Sequence, residues 1–173
     1  IFNIGHVFED LIFDGHPLGR EISGNESSVR GIKRNDFDIY RKMYYYPENI
    51  LISAAGKVSE DKVIELAEKY FGDLKSSSSK SANQKFIPKQ TKSKVKIHDQ
   101  KKEQAHFVMA FLADGHDYKG RFVQDVLLAI LSEGTSSRLF IEIRERRGLA
   151  YAVKGALKRY EETGYLGAYA GVD

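Results

Sequence analysis

"AYAVKGALKRYEETGYLGAYAG", residues 150–171, is the stretch that decides the fold. Two apolar runs, "AYAVKGAL" and "GYLGAYAG", flank the polar, glycine-ended "KRYEETG" and read as a β-hairpin pair. Working outward, "SSRLFIEIRERRG" (136–148) reads as a helix capped by serine and ended by Gly148. Before it, "DYKGRFVQDVLLAILSEG" (117–134) is a helix with Phe122, Val126 and Ile130 on one stripe and Val123, Leu127 and Leu131 beside it; Gly134 closes it. "AHFVMAFLA" (105–113) is a nearly continuous apolar run, as in a central strand, and "KVKIH" (94–98) alternates like a half-buried one.

The first half reads differently. Val7, Phe8, Leu11 and Ile12 fall at helical spacing, so a short helix is expected to about residue 14. "DGHPLGREISGN" (14–25) is loop chemistry. A helix starting near Asn35 has Asp36 and Asp38 in its first turn and carries Phe37, Tyr40 and Tyr44 on one face; Pro47 bars its continuation. "NILISAAG" (49–56) reads as a strand. Ser59 then caps an amphipathic helix with Val63, Leu66, Ala67, Tyr70 and Phe71 on its apolar face, closed by Gly72. After Leu74 the composition turns to "KSSSSKSANQKFIPKQTKSK", an exposed linker over residues 75–91. The expected architecture is α+β: an antiparallel or mixed sheet with helices packed on one face, a two-layer sandwich. Its segments are 1–74, the linker 75–91, and 92–173. "NILISAAG" is expected to join the sheet of the second segment, within one chain or by exchange in a homodimer.

Composition narrows the classes. The chain has 173 residues, 42% of them hydrophobic, enough for a globular core. A net charge of +3 gives no reason to propose a nucleic-acid partner. The absence of cysteine excludes disulfides and thiolate metal sites. No apolar run approaches the ~20 residues of a membrane span, so no membrane partner is expected. No signal peptide is visible, and a cytoplasmic location is the working expectation. The chain opens without methionine and stops inside an apolar pattern, so it reads as a fragment.

"HVFED" (6–10) and the following His16 raise the question of a metal. On a helix, H-x-x-E-H places two ligands at i and i+4. Here the last position is Asp10, leaving His6, Asp10 and His16 as a three-ligand set on paper. A solvated helix face accounts for the same residues. His98, His106 and His116 have no ligand spacing. In "IRERRGLAY" (143–151), Arg144 near a helix end and Tyr151 at a strand start could converge on a carbonyl oxygen as charge develops there. Spacing alone gives Arg146 and Arg147 the same role as Arg144, that of cations offsetting the helix dipole.

Taken together, "HPLGREISG" (16–24), "YYPEN" (45–49), Gly56, "YFG" (70–72), "QAHFVMAF" (104–111) and "LLAILSEGTSSRLFIEIRERRGLAYAV" (127–153) resemble the pitrilysin/insulinase family of zinc peptidases, which includes the mitochondrial processing peptidase. The resemblance spans nearly the whole chain. It implies that residues 1–74 end a first peptidase-like domain and 92–173 begin a second. It implies that the zinc ligands lie upstream of the "HPLGR" loop, so that the whole enzyme holds zinc while this chain holds none and is inactive alone. It also implies roles for Arg144 and Tyr151, which match a family arginine and tyrosine seven residues apart that hold the substrate carbonyl opposite the zinc. The implied substrate is an unfolded peptide, enclosed between this half and another half or a second subunit. The alternative is a non-catalytic family subunit that completes the chamber or acts as a scaffold.

Overall fold

A computed structural model of the chain describes residues 2–76, 84–101 and 103–172, with the side chains of Phe2 and Asn3 excepted. It divides into two compact units, Gly24–Asn83 and Ile1–Ser23 with Gln84–Asp173. The first 23 residues thus pack with the second half of the chain. Part of the serine-rich linker, residues 77–83, lies outside the described residues.

In the first unit, short polar residues start each helix by satisfying its free N–H groups. Asn25 Oδ1 accepts from Ser28 N at 2.8 Å and Ser28 Oγ accepts from Asn25 N at 2.8 Å, opening α2 (Glu26–Gly31). Asp36 Oδ2 accepts from Lys33 N at 2.7 Å at the start of α3 (Arg34–Tyr44). Pro47 follows α3 in a 3-10 turn, as its fixed φ and missing N–H require. Ser59 Oγ caps α4 (Glu60–Phe71) through Lys62 N at 3.4 Å. Residues 50–55 are not a strand: they make no ladder among the described residues. Their pattern favours extended backbone, but a strand exists only where a neighbour takes its N–H and C=O groups.

The second unit is built on a three-stranded antiparallel sheet of order β1-β3-β2, with β1 Ala105–Asp114, β2 Ala152–Arg159 and β3 Thr163–Val172. The hairpin β2–β3 is as the sequence implies, with Lys158 opposite Tyr165 and Ala152 opposite Gly171. The sheet takes no strand from residues 49–56, which corrects the expectation that "NILISAAG" adds to it. Residues 94–98 form no strand either. They run beside α1 (Phe2–Ile12), where Lys94 pairs with Asp14 at 3.1 Å and Lys96 with Asp10. β1 is an edge rather than a central strand. Its apolar run alternates, so that Phe107, Met109 and Phe111 are 56%, 53% and 70% exposed while the residues between them are half-buried.

Helix α5 (Arg121–Ser132) lies on one sheet face, the packing expected for an α+β chain. Gly155 is required there: a Cβ would come within 2.6 Å of Leu128 and Ser132, and its N–H donates to Ser132 Oγ. Arg159, on the same face, bonds Asp125 at 2.8 Å and the Arg121 carbonyl at 2.7 Å. The apolar stripe of Phe122, Val123, Val126, Leu127 and Ile130 remains exposed. Lys158 points to the opposite face, because successive strand residues alternate, and there it meets Glu9 of α1. The sequence carried no signal for α1 on that face. No helix among the described residues is long and apolar enough to cross a membrane.

Candidate functional site

After α5, Gly134 turns the chain at φ 78° and a π-helical turn, Phe140–Glu145, follows. Its wider winding shows in the bond from Arg146 N to Ile141 O at 2.9 Å, five residues back. Gly148 leaves the turn at φ 59°, a conformation that costs other residues a Cβ clash. Ala150 is buried and anchors the strand entry, so Tyr151, 78% exposed, stands just before the first pair of β2.

The three arginines of this turn do not share one role. Arg146 and Arg147 are both drawn to Glu142, at 2.5 and 2.8 Å. Arg144 has no ion pair among the described residues. Its guanidinium lies 5.0 Å from the ring centre of Phe140 and 5.3 Å from that of Tyr151. Arg144 and Tyr151 are thus brought together on exposed surface, with guanidinium N–H groups and a phenolic O–H able to donate to one acceptor. Phe140 is the member that sequence reading missed; its i, i+4 spacing from Arg144 was the available signal.

The three paper ligands do not converge. His6 Nδ1 faces Glu21 at 3.3 Å, Asp10 pairs with Lys96, and His16 receives Leu18 N on Nδ1 at 3.2 Å with Nε2 at 2.9 Å from the Gln84 carbonyl. Of the other histidines, His98 Nε2 lies 3.1 Å from Gln100 Nε2, and His106 Nδ1 lies 2.8 Å from the hydroxyl of Tyr169 on β3. Among the described residues no group of three or more His, Cys, Asp or Glu side chains could hold a metal.

The carboxylate of "HVFED" with most partners is Glu9, which the metal question passes over. It accepts from Lys158 Nζ at 2.6 Å, Tyr165 OH at 3.0 Å and Tyr160 OH at 3.5 Å. Burial pulls the Lys158 ammonium down, but the hydrogen bonds and charge of Glu9, with Tyr160, outweigh it and hold it above its usual range. Burial first, then the charge and hydrogen bond of Glu9, push the Tyr165 phenol up. Phe13 packs below this cluster, edge-on to Phe86 and Tyr160. A cavity of about 1060 Å³ opens between α1, residues 93–100 and β1, lined by Val7, Leu11, Val95, Ile97 and Met109; Arg144 and Tyr151 are not part of it.

An α+β unit ending in an arginine-bearing helical turn and a glycine-rich hairpin is a peptidase-type domain by its likeness to known proteins. The chain belongs to the pitrilysin/insulinase, or M16, peptidase family: the family profile described as "Peptidase M16 inactive domain" matches residues 31–173. An uncharacterized zinc protease of Mycobacterium leprae is 31% identical over 173 residues, covering 96% of this chain and 38% of its own length. One of Bacillus subtilis is 33% identical over 174 residues, with 95% and 40% covered. The crystal structure of a peptidase M16 inactive domain from Pseudomonas fluorescens matches with a TM-score of 0.82 at 19% identity, covering 97% of this chain and 40% of that one, and supports the α+β fold. The chain therefore spans about two fifths of the length of these relatives.

The zinc in the relatives' names has no fitting donor set here. The carboxylates and imidazoles of "HVFED" and the "HPLGR" loop are spent on lysines, a glutamate and backbone groups.

Proposed function

We propose that this chain is the part of a zinc endopeptidase that binds the substrate carbonyl, with Arg144 and Tyr151 facing a metal centre supplied by another half or a second subunit. One observation carries the reading. Of three neighbouring arginines, Glu142 takes two and leaves Arg144 uncompensated beside the exposed Tyr151 ring. A guanidinium and a phenol directed at a carbonyl oxygen stabilise the negative charge that develops there on attack. An unfolded peptide is the substrate, since its main chain must be extended and accessible to offer that oxygen to the pair. The relatives' description as zinc proteases supports the chemistry, and the profile's description as an inactive domain supports a metal held outside this segment. That same description favours a second reading, a non-catalytic subunit that completes the chamber.

Turnover of an unstructured peptide by the whole protein, with its zinc content, separates the two. In an active enzyme, Arg144→Ala or Tyr151→Phe lowers turnover about a hundredfold or more with the circular dichroism unchanged, the effect of losing one oxyanion donor. Well-folded variants with full activity refute the assignment.

A further inference from the structure

Phe140 has no place in the substrate reading, yet it is the nearer of the two rings to the Arg144 guanidinium, 5.0 Å against 5.3 Å for Tyr151. The two rings differ in mobility. Phe140 is half-buried within the π-helical turn, whereas Tyr151 is 78% exposed. An arginine at an exposed helix end spreads over many rotamers unless something fixed holds it. The nearest anion cannot serve, since the Glu142 carboxylate is engaged by Arg146 and Arg147. A ring face attracts the cation and leaves its in-plane N–H donors unspent, which a carboxylate partner would not.

We infer that Phe140 is a positioning residue: its ring holds the Arg144 guanidinium beside Tyr151 with the donors directed outward for the substrate carbonyl. This rests on the role proposed above for Arg144. The contact acts through Arg144 and touches no substrate, so its loss lowers kcat rather than raising KM.

The test compares Phe140→Leu, which removes the ring, with Phe140→Tyr, which keeps it. In the whole protein, with an unstructured peptide, Phe140→Leu lowers kcat roughly twofold to fivefold, the range of an exposed cation–π contact, and Phe140→Tyr restores it. In the 173-residue chain, the side-chain 1H–15N resonance of Arg144, assigned with Arg144→Lys, loses its ring-current shift in Phe140→Leu and keeps it in Phe140→Tyr. The Arg147 resonance stays in place in both. Phe140→Met replaces Phe140→Leu if the latter unfolds the turn. An Arg144 resonance unmoved by loss of the ring overturns the inference. So does a kcat unchanged in Phe140→Leu where Arg144→Ala lowers it. Unchanged turnover in Arg144→Ala overturns the carbonyl-binding reading as well, and is told apart because Arg144 itself is then dispensable.

Discussion

Replacing Phe13 by alanine is the sharpest test of what holds α1 to the sheet. Phe13 is fully enclosed. Phe86 and Tyr160 meet it edge-on at 5.1 and 5.5 Å between ring centres, and Tyr165 lies tilted at 6.2 Å. Truncating an enclosed Phe to Ala costs about 3–5 kcal/mol, depending on how far the site collapses. Collapse is hindered here because the three rings come from residue 86, the β2–β3 turn and β3, so closing the void means moving three backbones. A loss near 4 kcal/mol is therefore expected, large against the ~5–15 kcal/mol that holds a typical domain together. Native-state hydrogen exchange at the β3 amides reads the opening of this unit by itself. Protection there should fall roughly a thousandfold in Phe13→Ala, since ~1.4 kcal/mol is tenfold. Phe13→Leu keeps most of the volume and loses the edge-on contacts, worth about 0.5–1.5 kcal/mol each, so it should fall between. A drop of less than about tenfold in Phe13→Ala would refute the view that this ring is the centre of the contact.

Two further outcomes follow from hydrogen bonds and charge. Lys158 and Tyr165 bind their protons more tightly folded than unfolded, so their contribution is fully present below their ordinary values of 10.5 and 10.0 and is lost as pH rises through and beyond that range. The melting temperature should accordingly fall above pH 10.0, and less steeply in Glu9→Gln; equal slopes count against the cluster. At the helix starts, Asn25→Ala should destabilise the first unit by about 1 kcal/mol and Ser59→Ala by less. Their cap bonds are 2.8 and 3.4 Å, and urea titration of each variant orders them.

Local signals carried the elements whose making is local. Pro47, Ser59 and Gly134 end or begin helices by their own chemistry, and they do so here. The hairpin was legible because its two strands are neighbours in sequence. What depends on a distant partner was not. Residues 50–55 and 94–98 have strand-like patterns but no ladder, and pattern cannot report whether a neighbour is present. The apolar run of β1 suggested burial on both faces, yet Phe111 at an edge is largely exposed, because composition does not say which strand lies outermost. At the candidate site, Arg144 and Tyr151 could be named from the resemblance. What distinguishes Arg144 from Arg146 and Arg147 could not, because it depends on which guanidinium Glu142 captures. Glu9 hid in plain view between His6 and Asp10, its partners lying about 150 residues away in the hairpin.

The π-helical turn makes the site sensitive to length as well as to chemistry. A π turn holds one residue more per winding than the α-helix it interrupts, so Phe140–Glu145 behaves as a tolerated insertion. Deleting one residue from 141–143 would let the turn relax to α-helical winding without touching Phe140, Arg144 or Tyr151. It would also rotate everything after the deletion by about 100° relative to what precedes it. Arg144 would then swing away from the ring of Phe140 while every side chain the site needs remained. Among natural or engineered variants of this segment, a gain or loss of a single residue is therefore a graver change than most substitutions within it.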